Sequence, residues 1–200
     1  MKQILITLAM GLFLVNLQVR AEDEPNGLEV GTLAPQFSAV DADGKTVSLQ
    51  QFLDKGPVVM VFYRGQWCPV CNKHLKTLQD SLEQISALGA TVLTISPQKP
   101  EFLNEMAEKT KAKFPLLYDE DYTIMDSYKV TFTPPAATTL MYNVLLGAEL
   151  KKSQSDESQR LPVPATYIIN SDGKIVWRQF DPNYKNRSTV KDIKEVLAKF

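Results

Sequence analysis

Apolar and β-branched residues form short runs at several places along the chain, and each run is bounded by polar or turn-forming residues. The clearest runs are Val58–Tyr63, Thr91–Ser96 and Ala165–Asn170. Runs of this kind, without regular polar alternation, predict strands that are buried on both faces of a sheet. Between the first two runs, apolar residues recur at the spacing of an α-helix. This order predicts an α/β protein with a mixed central sheet flanked by helices.

Two amphipathic helices are predicted between and after these strands. The first is marked by apolar positions at helical spacing before the stop signal Gly89, namely Cys71, Leu75, Leu78, Leu82 and Ile85. The second begins at Pro100 and runs towards Lys111. Each helix would pack its apolar face against the sheet.

Shorter patterns complete the predicted elements. They are a hairpin of Phe37–Val40 and Lys45–Leu49 about Asp43-Gly44, a one-turn helix from Ser48, a strand at Phe114–Tyr118, a short helix at Asp121–Tyr128, an antiparallel strand at Ile175–Phe180, and a last helix capped by Ser188 and ending at Phe200.

The stretch 129–161 interrupts this regular order. Thr131–Pro135 is turn-like, Leu140–Leu150 is predicted as a short helix, and Lys151–Arg160 is predicted as a solvated loop. A connection this long inside a compact domain is usually an insertion or a functional flap.

The N-terminus has the pattern of a secretory signal peptide. Lys2 precedes an apolar run from Ile4 to Val15, and Val19-Arg20-Ala21 offers small residues for cleavage. The run is shorter than the roughly 20 apolar residues that cross a bilayer. An uncleaved anchor and a buried first strand are the alternatives. We therefore expect an exported protein, periplasmic or secreted, that keeps no stable membrane anchor after cleavage.

Length and composition predict one domain behind this leader. The chain has 200 residues, of which 44% are hydrophobic, enough for one core. We expect residues 1–21 to be removed, residues 22–33 to form a mobile lead-in, and residues 34–200 to form the domain. The net charge of −1 comes with no basic stripe, so a nucleic-acid partner is not expected.

The chain has only two cysteines, Cys68 and Cys71, which are three positions apart. A disulfide between them would close a very small loop and would constrain the unfolded chain little. The pair is therefore interpreted as chemically active rather than as a structural crosslink. Redox chemistry and metal binding are the two kinds of activity that this spacing allows.

The pair lies between a buried strand and the start of a helix. A thiolate at a helix N-terminus faces unpaired N–H groups and the positive end of the dipole, which lowers its pKa below the usual value of about 8.5. Pro69 suits the first helical turn because its missing N–H is not needed there. This placement predicts Cys68 as the attacking thiolate and Cys71 as the thiol that resolves the mixed disulfide.

Two other interpretations of the pair stay open. Both cysteines could be ordinary buried thiols, or they could bind a metal together with His74, three positions after Cys71. Structural zinc sites usually draw ligands from two segments, and this chain has one histidine and no further cysteine. We therefore expect neither a metal nor an organic cofactor, and we place His74 at the border of the apolar helix face.

Residues on both sides of the pair are predicted to bind substrate. If the Val163–Pro164 bond is cis, that turn would present backbone groups to an extended substrate; a trans proline at a strand start is the alternative. Trp67 would pack over the pair beside Pro69, and Arg64 would supply a positive charge. A core aromatic and a surface arginine are the alternative interpretations of Trp67 and Arg64.

These motifs together resemble a known superfamily. Trp67-Cys-Pro-Val-Cys71 after a buried strand, with Val163-Pro164 before Ala165–Gly173, is similar to thioredoxin-superfamily proteins. The resemblance implies a thioredoxin-like fold with an N-terminal β-hairpin and an insertion before the strand that follows a cis-proline.

Further segments resemble one group within that superfamily, the redoxins of the alkyl hydroperoxide reductase and thiol-specific antioxidant type. The N-terminal segments with this similarity are Gly31–Phe37 and the Asp41–Val47 hairpin. The segments that look like its peroxiredoxin-like branch are Phe62–Asn72, Leu161–Thr166, and Asp181-Pro-Asn-Tyr184 with Arg187. The match covers nearly all of residues 30–200. We interpret Asp181, Tyr184 and Arg187 as a structural, hydrogen-bonded corner.

The chain departs from true peroxiredoxins at the motif that holds their peroxidatic cysteine. On that motif, Arg64 falls at the proline, Cys68 at the threonine and Cys71 at the peroxidatic cysteine. Pro164 falls where peroxiredoxins carry an arginine, three residues before Tyr167. Two groups that would polarise peroxide are therefore replaced by thioredoxin-type residues.

The resemblance implies an antioxidant oxidoreductase that cycles a Cys68–Cys71 disulfide. Its partners would be a thioredoxin-like thiol reductant and either a peroxide or a protein disulfide. Three alternatives stay open: a true thiol peroxidase with Cys71 as the peroxidatic cysteine, a metal-binding or redox-gated module using Cys68, Cys71 and His74, and a non-catalytic scaffold.

Overall fold

A computed structural model describes residues 24–200, so the predicted signal peptide lies outside the described residues. The strands are β1 (Ser38–Asp41), β2 (Thr46–Ser48), β3 (Val58–Phe62), β4 (Thr91–Ser96), β5 (Leu116–Tyr118), β6 (Thr131–Phe132), β7 (Leu161–Pro162), β8 (Ala165–Ile169) and β9 (Ile175–Phe180). Seven of them form one sheet in the order β2-β1-β5-β4-β3-β8-β9. The predicted mixed sheet is confirmed, because β3, β4 and β5 run parallel while β1, β8 and β9 pair antiparallel with their neighbours.

The helices pack on both faces of this sheet. They are α1 (Leu49–Leu53), α2 (Pro69–Asp80), α3 (Leu82–Ser86), α4 (Pro100–Thr110), α5 (Thr123–Ser127), α6 (Ala136–Leu145), α7 (Leu150–Ser153) and α8 (Val190–Leu197). Within residues 24–200, none of these helices is long and apolar enough to cross a membrane.

The interior strand β3 leads directly to the cysteines. All five of its residues are buried, and it pairs with β4 on one side and with β8 on the other. Burial on both faces explains why its sequence is continuously apolar. The chain leaves β3 at Phe62, crosses Tyr63–Trp67, and begins α2 directly after Cys68.

The helix predicted from Cys71 to Ile85 is two helices in the structure. The backbone at Ser81 takes φ −111° and ψ 8°, which ends α2 and starts α3. The apolar positions Leu75, Leu78 and Ile85 are nevertheless buried, as the helical spacing predicted. The apolar periodicity therefore predicted the buried face correctly but not the break between the two helices at Ser81. Serine readily leaves helical geometry.

From Gly27 onwards, the predicted lead-in is hydrogen-bonded to the rest of the domain. The N–H of Gly27 donates to the carbonyl of Lys129 at 3.0 Å, and the N–H of Leu28 donates to the Tyr167 hydroxyl at 3.0 Å. The side chain of Leu28 is buried. Tertiary hydrogen bonds and one apolar anchor hold a segment whose own composition is that of a loop.

The insertion 129–161 is more ordered than its sequence predicted. Thr131–Phe132, expected as part of a turn, is strand β6 and pairs antiparallel with β7, so the two ends of the insertion meet in a small second sheet. The helix α6 ends at Leu145, five residues before the predicted end. The segment predicted as a solvated loop begins with α7 and buries Ser153 and Gln154.

The last helix begins one residue later than predicted. Thr189, not Ser188, is its N-cap: the Thr189 side chain accepts from the N–H of Asp192, whose carboxylate accepts from the N–H of Thr189. Such a capping box satisfies two otherwise unpaired donors. Ser188 is buried instead, and its hydroxyl has other partners, described below.

Candidate active site

Cys68 and Cys71 lie together at the N-terminus of α2, both as free thiols. Cys68 is the N-cap residue in an extended conformation, Pro69 occupies the first turn, and Cys71 follows within that turn. Pro69 is exposed, but Cys68 is only 3% exposed and Cys71 is fully buried. The expected position at the helix N-terminus is confirmed, and both sulfur-bearing residues are buried there.

The two thiols are hydrogen-bonded to each other, and their environments separate their pKa values. Burial alone would raise the pKa of Cys71, but the hydrogen bond from Cys68, the charge of Arg187 and the backbone N–H of Arg64 lower it to about 5. The pKa of Cys68 is raised, first by the hydrogen bond to Cys71 and then by burial. The surroundings therefore favour the thiolate form of Cys71 and the protonated form of Cys68.

Arg187, interpreted from the sequence as part of a structural corner, also contacts the active site. Its Nη2 donates to Cys71 Sγ at 3.5 Å, while its Nε donates to the carbonyl of Tyr184 at 2.7 Å. The corner predicted around Asp181 is present, because the Asp181 carboxylate accepts from the N–H of Asn183 and from the Asn186 amide. This corner turns Arg187 towards the thiol. No local pattern could have shown this, since 116 positions separate Cys71 and Arg187.

Arg64 is buried, at 4% exposed, rather than lying on the surface. Its Nη1 donates to the Tyr142 hydroxyl at 2.9 Å, and its guanidinium lies 4.5 Å from the ring centre of Tyr184 and 5.4 Å from that of Phe132. The guanidinium also lies 5.8 Å from the ring centre of Tyr142, so three aromatic faces hold the positive charge, and two of them come from the insertion. The side chain of Arg64 ties the insertion to the segment that precedes the cysteines.

Trp67 is covered by the same insertion. Its ring lies 4.9 Å from that of Tyr142, and it is buried. The neighbouring Gly65 permits this packing, because a Cβ there would lie 2.6 Å from the indole nitrogen and the backbone has φ +156°. Trp67 belongs to the same buried cluster as Cys68 and Cys71, and α6 contacts it through Tyr142.

The Val163–Pro164 bond is trans, because residues 24–200 contain no cis peptide bond. The N–H of Val163 donates to the carbonyl of Val130 at 2.7 Å, so this donor is already paired within the insertion. The chain runs extended from β7 through Pro164 into β8, a path that a trans bond continues. The predicted cis turn with free backbone groups is therefore wrong.

Two of the predicted substrate-binding residues line one cleft. The cleft has a volume of about 1020 Å³, and Arg64, Val163, Phe132 and Lys129 contribute to its wall. Among the described residues, neither cysteine forms part of that wall. The cleft thus reaches the segment next to the cysteines but not their sulfur atoms.

The metal-binding interpretation finds no assembled ligand set. Across residues 24–200, no group of three or more histidine, cysteine, aspartate or glutamate side chains is placed to hold a metal ion. The Nε2 of His74 lies 3.1 Å from the Ser188 hydroxyl instead. Burial, and then the charge of Arg187, lower the pKa of His74 to about 4, so its ring is neutral at physiological pH.

Fold and site together define a thiol-based oxidoreductase of thioredoxin-like fold, with a paired dithiol at a helix N-terminus. The AhpC/TSA family model matches residues 30–178, and the chain belongs to this family. "Peroxiredoxin Bcp" of Escherichia coli strain K12 is 37% identical over 105 residues, which cover 52% of this chain and 67% of that protein. "Peroxiredoxin Q, chloroplastic" of Triticum aestivum is 30% identical over 169 residues, which cover 83% of this chain and 67% of that protein.

The fold is also shared with solved structures. Peroxidoxin BcpB from Mycobacterium tuberculosis superposes with a TM-score of 0.67 at 19% identity, over 86% of this chain and 97% of that chain. The resemblance to the thioredoxin superfamily and its peroxiredoxin-like branch is therefore confirmed, and so is the expectation of a redox enzyme that works through thiols.

Proposed function

We propose that this enzyme reduces a hydroperoxide with Cys71 as the attacking thiolate and Cys68 as the resolving thiol. The observation that carries the proposal is the surroundings of Cys71. The guanidinium of Arg187 and the thiol of Cys68 both donate to its sulfur, and its pKa lies near 5. This assignment reverses the roles predicted from helix geometry alone and agrees with the alignment to the peroxidatic position.

The reaction balances with the two thiols present. The Cys71 thiolate attacks one peroxide oxygen, the O–O bond breaks, and the leaving alkoxide or hydroxide takes a proton to form an alcohol or water. Cys71 is then a sulfenic acid. The Cys68 thiol attacks that sulfur, water leaves, and a Cys68–Cys71 disulfide forms. A dithiol reductant returns both electrons by thiol–disulfide exchange.

Arg187 supplies the charge that the alignment had found missing at Pro164. A guanidinium beside the sulfur stabilises the thiolate, and it can also donate to the peroxide oxygen as negative charge develops there. The thiol of Cys68 stands where peroxiredoxins carry a threonine hydroxyl. It is a hydrogen-bond donor to Cys71 and the resolving group at once.

A second candidate function is thiol–disulfide exchange with protein substrates, with Cys68 as the attacking thiol. Its position at the helix N-cap favours this reading. Burial opposes it, because in-line attack on a protein disulfide needs an accessible sulfur, and Cys68 is 3% exposed. A small hydroperoxide can reach a buried sulfur more easily than a protein disulfide can.

The test is the rate at which hydrogen peroxide oxidises the reduced wild-type protein, followed by tryptophan fluorescence in stopped flow across pH. An ordinary thiol is only a few per cent ionised at pH 7, so complete ionisation by itself gains roughly 30-fold. We expect a much larger gain. The rate should be level from about pH 6 to 8 and fall about tenfold per unit below the Cys71 pKa, because the thiolate is then protonated.

A rate close to that of a free thiol would reject the peroxidase proposal. Oxidation by a peptide disulfide, measured under the same conditions, would then be expected to be the faster reaction.

For the cellular setting we propose export, with a thioredoxin-like dithiol protein as reductant. Support comes from the leader-like pattern of residues 1–21 and from the family's thiol chemistry. The mature chain isolated from the native cell is expected to begin at Glu22. An intact mass that retains the first 21 residues would contradict cleavage.

A further inference from the structure

Three buried polar side chains meet beside the active site. The hydroxyl of Ser188 lies 2.9 Å from Thr166 Oγ1 and 3.1 Å from His74 Nε2. All three residues are buried. They come from different parts of the fold: Thr166 from β8, His74 from the cysteine-bearing helix α2, and Ser188 from the segment that leads into α8. A hydroxyl both donates and accepts, so Ser188 can pair with both neighbours at once.

Burying these three polar side chains costs free energy of folding, which suggests that the cluster has a role beyond packing. Buried polar groups lose their hydration, and an apolar cluster of the same shape would serve the core at least as well. The hydrogen bonds within the cluster do not involve a cysteine. They do fix the backbone of Ser188, which is the residue next to Arg187.

The charged end of Arg187 is held by only two hydrogen bonds. Its Nε donates to the nearby Tyr184 carbonyl, and its Nη2 donates to Cys71. Its Nη1 is buried without a partner, and none of the salt bridges within residues 24–200 involves Arg187. Because no carboxylate holds the guanidinium, its distance from Cys71 depends on the hydrogen bond to Tyr184 and on where the backbone at 187–188 is held.

We propose that Ser188 is a positioning residue for Arg187. Its hydroxyl pins the arginine-bearing segment to β8 and to α2 and so keeps the guanidinium against Cys71. His74 is the partner on α2, and its neutral ring adds no second positive charge beside Arg187. The inference rests on the proposed role of Cys71 as the attacking thiolate.

The test compares Ser188→Ala with Thr189→Ala. Ser188→Ala removes the hydroxyl that joins the three elements, whereas Thr189→Ala loosens the start of α8 next door and leaves that cluster intact. The primary readout is the pH midpoint of thiolate absorbance near 240 nm in the reduced protein. The secondary readout is the rate of oxidation by hydrogen peroxide at pH 7.

We expect Ser188→Ala to raise the thiolate midpoint by about one pH unit and to slow oxidation roughly tenfold, because Arg187 moves off the sulfur. Thr189→Ala should leave the midpoint unchanged and the oxidation rate within twofold of wild type. Equal shifts in the two variants would mean that Ser188 only supports α8. Wild-type values in Ser188→Ala would overturn the proposal.

Thr166→Val provides a second route if Ser188→Ala fails to fold. Valine keeps the shape of threonine but cannot hydrogen-bond to Ser188, so we expect a smaller rise of the thiolate midpoint. An unchanged midpoint would overturn the proposal. The midpoint is measured without peroxide. Slow oxidation of the wild-type protein would therefore reject the proposed function, while the midpoint would still decide the role of Ser188.

Discussion

Replacing Cys71 by serine is expected to remove the fast reaction with hydrogen peroxide, by roughly 1000-fold or more, while Cys68→Ser keeps it. Serine has no accessible ionised form at neutral pH, and Cys71 carries the lowered pKa. Cys68 is protonated and has the raised pKa, so it does not attack first.

The two variants should also stop at different products. Cys68→Ser lacks the resolving thiol, so its Cys71 should accumulate as a sulfenic acid that dimedone labels in an amount close to one per chain. Cys71→Ser should remain a thiol under the same peroxide pulse. Each serine variant is the matched control of the other, because both remove one sulfur from the same helix turn. Fast oxidation of Cys71→Ser together with a slow Cys68→Ser would restore the thioredoxin-type roles.

Replacing Arg187 by glutamine is expected to slow peroxide oxidation by about 100-fold to 1000-fold, the loss typical of one donor that stabilises developing charge. Glutamine keeps the polarity but removes the positive charge next to Cys71 Sγ. The pKa of Cys71 should rise as well, because the charge of Arg187 is one of its lowering causes. The rate should therefore fall more at pH 6 than at pH 8.

Two controls separate this effect from a general loss of charge. Arg187→Lys keeps the charge but not the planar donor geometry, so an intermediate rate is expected. Lys191→Gln removes one positive charge from an exposed lysine of α8 that pairs with Glu195, and it should react at the wild-type rate. A wild-type rate for Arg187→Gln would show that Cys71 is activated by its other neighbours alone.

Much of the fold could be predicted because its signals are local. The apolar run at Val58–Tyr63 becomes the buried β3, and the helical spacing after Cys71 gives the buried face of α2. The position of the cysteines at a helix N-terminus depends only on the order of a strand, a short connection and a helix. Burial periodicity and helix-terminus chemistry are properties of neighbouring residues, so one sequence is enough to show them.

The errors fall where distant segments meet. Thr131–Phe132 becomes a strand only because Leu161–Pro162 lies beside it, and the same pairing holds Val163 in a trans, hydrogen-bonded path. Ser188 resembles a helix cap by its position, yet Thr166 and His74 draw it into the interior. A local pattern cannot contain partners that are tens of residues away.

The sequence by itself determined that a dithiol lies at the start of a helix in a thioredoxin-like α/β domain. The reason is that strand burial and the chemistry of a helix end both depend on residues that are neighbours in the sequence. Only the tertiary structure showed which thiol has the surroundings that favour its ionised form. The pKa of a buried sulfur depends on the charges and donors within a few ångströms, and here the decisive charge is Arg187, which folding alone brings to Cys71.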